Sequence, residues 1–150
     1  MQTKDILISL IIIGTFICGS CKKNNNDAIG NVFLRDKPLA EIKSLVQGNW
    51  KIHYKYGGIT GNIKTPMTDS YFKVLQTDSI YLTFSNTLFA ADIATFQRVN
   101  TTFGYSAYTM DFESIGGTPK TWIVDYIIND TLVLDDDYAN GSAYFMTRIP

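Results

Sequence analysis

The sequence predicts an all-β antiparallel fold of about eight strands, a sandwich or a barrel, with one short N-terminal helix. Apolar residues recur at every second position in its C-terminal two thirds, as in Trp50, Ile52, Tyr54, Tyr56 and in Ile80, Leu82, Phe84. Clusters of Gly, Asn and Asp interrupt these segments at short intervals. No long helical pattern alternates with the strands, which excludes a parallel α/β sheet. Nine Tyr, nine Phe and two Trp fit such a fold, because large aromatic rings pack well on a pleated surface.

The N-terminus reads differently. Lys4 precedes an apolar run from Ile6 to Ile17, the length of a signal-peptide core and short for a membrane span. Small residues Gly19 and Ser20 then stand before Cys21. Cys18-Gly19-Ser20-Cys21 resembles the lipobox of bacterial lipoproteins, with Cys18 where Leu is usual. The resemblance implies cleavage before Cys21, diacylation of that cysteine (palmitate among the acyl chains) and a membrane as partner. Two or three acyl chains hold a small protein in place effectively permanently, at about 0.8 kcal/mol per buried methylene. Lys22 follows, not the Asp that typically retains such proteins at the inner membrane, so the expected location is the outer membrane facing the periplasm of the cell envelope. Lys22 to Asn31 is polar and reads as a flexible tether. The expected organisation is therefore 1–20 signal peptide, 21–37 lipidated N-terminus and tether, and 38–150 a single β domain.

In Pro38 to Gln47 the residues Leu39, Ile42, Leu45 and Val46 share a helical face. Asp36 is a candidate N-cap and Gly48 a stop. The first strand starts at Asn49, with Trp50, Ile52, Tyr54 and Tyr56 on one face and Lys51, His53 and Lys55 on the other. Gly57-Gly58 and Gly61-Asn62 mark turns. Tyr71–Leu75 and Ser79–Ser85 are expected strands. Asn86–Ala94 reads equally as loop, helix or strand. Thr95–Val99 and Phe103–Phe112 flank a turn at Asn100, with Tyr108, Met110 and Phe112 on one face. After the Gly116-Gly117-Thr118-Pro119 break, Thr121–Ile128 and Thr131–Leu134 form a hairpin across Asn129-Asp130, a pair that tolerates positive φ. Asp135 to Gly141 is a longer turn, and Ser142–Ile149 is the last strand, with Tyr144, Met146 and Arg148 on one face.

Gly48-Asn49-Trp50 at the head of the first strand, with Arg148 on the last, resembles the Gly-x-Trp signature of the lipocalins and their wider barrel superfamily. That resemblance covers the domain from Pro38 onward. It implies an up-and-down antiparallel β-barrel, lipocalin-like, in which Trp50 closes the floor and Arg148 lies across its ring. A guanidinium on an indole face gains roughly 0.5 to 2 kcal/mol, and joining first strand to last removes the sheet edges. The family's second motif is missing from the chain.

The chemistry is sparse. Net charge is -1, which argues against a nucleic-acid partner. Both cysteines precede the domain, so it has no disulfide, thiolate metal site or thiol nucleophile. His53 is the sole histidine and is expected to be exposed, without zinc or catalytic partners. Asp135-Asp136-Asp137 with Asn140 invites a calcium loop, but Ala139 breaks the ligand spacing, and a solvated hairpin turn is the better reading. No catalytic residue, metal or cofactor is assigned, and the chain is read as a non-enzyme. The expected function is a lipid-anchored envelope protein binding a small apolar or amphipathic ligand in a pocket of Tyr54, Tyr56, Phe84, Tyr108, Met110, Trp122, Tyr126 and Tyr144. The alternative is a filled barrel that docks an envelope protein partner, for instance through an exposed patch at Leu88-Phe89.

Overall fold

A computed structural model describes residues 30–58 and 63–150. Cys21, the expected signal peptide and the expected Gly61-Asn62 turn lie outside the described residues. Val32–Phe33 forms a short strand β1, followed by one 3-10 turn at Leu34–Asp36 and helix α1 at Leu39–Val46. Then come β2 (Gly48–Gly57), β3 (Lys64–Val74), β4 (Ser79–Phe84), β5 (Thr87–Ile93), β6 (Thr95–Asn100), β7 (Ser106–Glu113), β8 (Pro119–Ile128), β9 (Thr131–Asp136) and β10 (Ser142–Ile149). All ladders are antiparallel, in the order β5-β4-β3-β2-β10-β9-β8-β7-β6, with β1 added to β8. The fold is thus an all-β, barrel-like curl whose first long strand pairs with its last.

The two ends of this path, β5 and β6, are separated in sequence by Ala94 alone. They behave as two halves of one bent run. β6 pairs with β7 from Ser106 to Asp111, and just beyond it β5 takes over the same flank. There Ile115 N donates to Phe89 O at 2.9 Å, and Glu113 N donates to Asp92 Oδ2 at 2.8 Å. The seam is therefore held by two bonds in place of a full ladder.

Two tight hairpins have the backbone their residues allow. Ser85 and Asn86 (φ 49° and 62°) join β4 to β5, and Asn129 and Asp130 (φ 48° and 60°) join β8 to β9. Positive φ at both central positions matches the right-handed twist of the flanking strands. The first turn makes a strand of Thr87–Ile93, which lies in the segment that sequence left open. β3 begins at Lys64, seven residues before the expected Tyr71. Its first half pairs with β2 alone, Pro66 opposite Tyr54, so its polar residues and its proline stay on an unpaired flank.

Helix α1 starts on Pro38, whose carbonyl accepts from Glu41 N and Ile42 N at 3.0 Å. Asp36 does not cap it. It belongs instead to the preceding 3-10 turn, and Leu34 in that turn is fully buried. Val32–Asp36, inside the segment expected to be tether, is thus part of the fold. Ile42 and Val46 bury the inner face of α1 over one end of the barrel.

That end is fastened by the Gly-x-Trp segment. Trp50 and Arg148 are directly opposite in the β2–β10 ladder, and Arg148 Cζ stands 4.7 Å from the indole centroid. Trp50 Nε1 donates to Val46 O and Arg148 Nη2 to Leu45 O, each at 2.7 Å. Both carbonyls belong to the last turn of α1, where helix carbonyls lack internal partners and a cation is favoured. Burial lowers the Arg148 pKa from its usual value. Gly48 sits at φ +137°, a backbone that favours glycine, with Arg148 Nη1 3.5 Å from where a Cβ would stand. Gly48→Ala is expected to cost about 1–3 kcal/mol through backbone strain, measured by urea unfolding. A variant as stable as the wild type would contradict this.

Candidate functional site

The inner face of the sheet carries an aromatic chain that runs from the core toward the end opposite α1. Trp122 (1% exposed) is its centre, edge-on to Phe72 at 5.4 Å and to Phe112 at 5.2 Å. Its other neighbour is Tyr144, with centroids 4.9 Å apart. Tyr144 stacks on Phe84 at 6.2 Å, and Phe84 meets Phe89 at 5.1 Å. Phe84, Phe89 and Tyr144 are only partly buried, so the chain leads out of the packed interior. Lys55 is opposite Tyr144 in the ladder, shares its face and is half-buried. Lys120 Nζ lies 5.9 Å from the Phe89 centroid.

Of the expected pocket residues, Phe84, Met110, Trp122 and Tyr144 belong to this assembly. Tyr108 is on the same face, beneath Arg98 with Cζ 5.4 Å from its ring. Tyr54, Tyr56 and Tyr126 do not line the interior. In β2, Ile52 pairs with Met146 and Tyr54 with Phe145, so His53 is an extra residue that reverses the faces. Tyr54 then stacks on Phe145 outside, at 4.6 Å, with Lys64 Nζ 3.9 Å over its ring, and Tyr56 is 40% exposed. In β8, Val124 pairs with Leu134 and Tyr126 with Val133, so Asp125 is the extra residue and Tyr126 faces out. His53 is exposed, with Nε2 2.7 Å from Thr147 Oγ1.

The acidic segment is not a solvated turn. Asp135 and Asp136 belong to β9, and Asp136 is 4% exposed. Its Oδ1 accepts from Trp122 Nε1 at 3.0 Å, and its Oδ2 accepts from Ser142 N at 3.0 Å and Tyr138 Oη at 3.1 Å. A buried carboxylate thus orients the central indole and ties down the β9–β10 turn. Gly141 is required there by contact, since a Cβ would lie 2.6 Å from Asp136 Cβ. Burial, and then the Asp136 charge, raise the Tyr144 pKa above its usual 10, so its hydroxyl stays a donor.

On the outer face the bulge at Asp125 lies beside β9, Asp125 is only 9% exposed, and its buried Oδ1 has no hydrogen-bond partner. Burial chiefly, then the Asp125 charge, push Asp135 up to about 7. Asp125 is also raised, by burial, against the opposing pull of Arg35. Tyr105 is pushed up to about 12 by burial and by the two carboxyl groups. Among the described residues no group of His, Cys, Asp and Glu is arranged to hold a metal ion. A groove of about 280 Å³ lies outside the barrel, between α1 and the β3–β4 turn, lined by Lys43, Ser44, Gln47 and Asp78 among others. Lys43 crosses it to bond Asp78 and sits 5.1 Å from the Phe96 ring.

The network around Asp136 has no sequence signature, because three consecutive acids read as surface. Asp125 does have one: an acid inside the apolar run Trp122-Ile123-Val124-Asp125-Tyr126-Ile127-Ile128. Compared with known protein families, curated proteins and solved structures, the chain matches none. Its function is accordingly argued from its own residues. Asp136→Ala leaves the Trp122 and Ser142 N–H groups unpaired in the interior and is expected to destabilise by about 2–4 kcal/mol. Denaturant unfolding followed by Trp fluorescence measures it, and a loss below about 1 kcal/mol would mean that water replaces the carboxylate.

Proposed function

We propose that this protein is a lipid-anchored envelope lipoprotein whose barrel holds a small amphipathic molecule at the end opposite α1. The observation that carries the reading is the aromatic chain Trp122–Tyr144–Phe84–Phe89, packed at its inner end and half-exposed at its outer one. A site of this kind offers apolar ring faces for a ligand body and a few polar groups to orient it. The Tyr144 hydroxyl and Lys55 supply those groups. The lipocalin-like reading is supported by the Trp50–Arg148 pairing and by the closure of first strand on last. Anchoring rests on Cys21 and its lipobox, with acyl chains in the outer membrane and the barrel in the periplasm. No step of covalent chemistry is assigned, and the protein acts by binding.

One further observation favours a second reading, a barrel that docks an envelope partner. Connections at the end opposite α1 carry exposed apolar side chains: Ile63 (49%), Leu88 (44%), Ile115 (65%) and Tyr138 (50%). Such residues could seat a protein as well as admit a ligand.

Expression of the full chain in a bacterial host with labelled palmitate tests the anchor. Wild type is expected to carry label and sediment with membranes, and Cys21→Ala to lose both. Native mass spectrometry of the detergent-solubilised protein tests the ligand. A co-purified small molecule that is lost in Tyr144→Ala supports binding. A bare mass, after exposure to a panel of envelope lipids, counts against it and favours the docking reading.

A further inference from the structure

Two lysines belong to the inner face of the barrel at the end opposite α1. Lys55 of β2 stands opposite Tyr144 of β10, and cross-strand partners share a face. The extra residue His53 turns it inward, as it turns Tyr54 and Tyr56 out. Lys120 of β8 stands opposite Phe112, a core residue only 4% exposed, and shares the face of Trp122. Both lysines are half-buried. Between them run the rings of Tyr144, Phe84 and Phe89, with successive centroids 6.2 and 5.1 Å apart, and Lys120 Nζ lies 5.9 Å from the last.

Neither ammonium is matched by a carboxylate. Among the described residues the ion pairs join Lys37 to Glu41 and Lys43 to Asp78, and neither Lys55 nor Lys120 takes part in one. Two acids adjoin the aromatic chain, and both are engaged elsewhere. Asp136 accepts from Trp122 Nε1, Ser142 N and Tyr138 Oη beneath the β9–β10 turn. Asp92, three residues after Phe89, accepts from Glu113 N and Ile93 N in the β5–β7 seam, each at 2.8 Å. A lysine drawn out of water is normally paired, because its charge loses hydration. Ring faces offset part of that loss and bring no opposite charge. A ring-lined surface is thus left with two ammonium groups and no anion bonded to either.

We propose that the ligand of this site is an anionic amphiphile, with a carboxylate or phosphate head met by Lys55 and Lys120 and an apolar body laid along the rings between them. The inference rests on the binding reading given above and adds the sign of the ligand's charge. Hydrogen bonds from an ammonium to carboxylate or phosphate oxygens are about twice as strong as neutral ones. They strengthen further where ring faces exclude water. Lysine carries three donors on a flexible stem, so two lysines follow a head group without fixing its shape. Carboxylate and phosphate both suit such a pair. A neutral amphiphile of the same length leaves both ammonium groups unmatched.

Titration of the full chain in nanodiscs of zwitterionic lipid tests the inference, with empty discs subtracted. The probes are octanoate, octyl phosphate and octanol, read by calorimetry and by tryptophan fluorescence, since Trp122 adjoins the site. Wild type is expected to bind one or both anions about tenfold tighter than octanol. The tighter of the two tells a carboxylate source from a phosphate source. Lys55→Gln with Lys120→Gln is expected to level all three probes. Lys51→Gln with Lys73→Gln removes the same charge from the exposed outer face and is expected to keep the preference. Should the inner double variant fail to fold, each inner single variant is expected to narrow the preference about threefold. Equal binding of octanol and the anions would overturn the charge assignment and leave the binding reading standing. Binding of none of the three would take down both. A preference that survives in the folded inner variant, or vanishes in the outer one, would also overturn the inference.

Discussion

Arg148 joins three parts of the chain that are far apart in sequence. Its guanidinium lies on the Trp50 ring from the first long strand, belongs to the last strand, and donates to Leu45 O at the end of α1. Trp50 adds a second tie to the same helix through Val46 O. A curled sheet without this junction would have free edges at β2 and β10 and an uncovered end. With it, the helix becomes a lid and the aromatic interior is sealed on that side. Everything described at the opposite end depends on this closure, because the rings of Trp122, Tyr144 and Phe84 come from strands on both sides of the β2–β10 seam.

The junction also explains the division of labour along the barrel. The α1 end is fastened by charge and hydrogen bonds, with Lys43 reaching Asp78 and Ala94 N donating to Asp78 O at 2.9 Å. The other end is fastened mostly through backbone: Gly58 N donates to Gly141 O at 3.1 Å and Asn86 N to Asp69 O at 2.8 Å, beside the Asp136 carboxylate under the β9–β10 turn and two bonds across the β5–β7 seam. The half-exposed rings at that end are what the proposed binding site rests on.

Much of this was legible in the residues. Alternation gave the all-β class, Asn129-Asp130 gave a hairpin, and the apolar spacing of Leu39 to Val46 gave the helix within a residue or two. Trp50 and Arg148 are in contact, as the resemblance to lipocalins implied. The two bulges were not legible. Trp50-x-Ile52-x-Tyr54-x-Tyr56 keeps its alternation straight through His53, and Trp122-x-Val124-x-Tyr126 does the same through Asp125. Tyrosine packs acceptably on either face, so the sequence carries no mark of the reversal, and three expected pocket residues lie outside. The polar half of β3 was missed for the opposite reason: an unpaired flank needs no apolar residues. Leu34 was missed because one buried side chain between Phe33 and Arg35 makes no pattern.

The most direct test of the account is a double-mutant cycle on Trp50→Phe and Arg148→Met, with stability read by urea unfolding. If the pair fastens helix and seam together, the two losses are coupled by about 1–2 kcal/mol, so that the second substitution costs less once the first is made. Strict additivity would mean that Trp50 and Arg148 act separately, one as core and one as a helix cap, and that the barrel is closed by its backbone ladder alone.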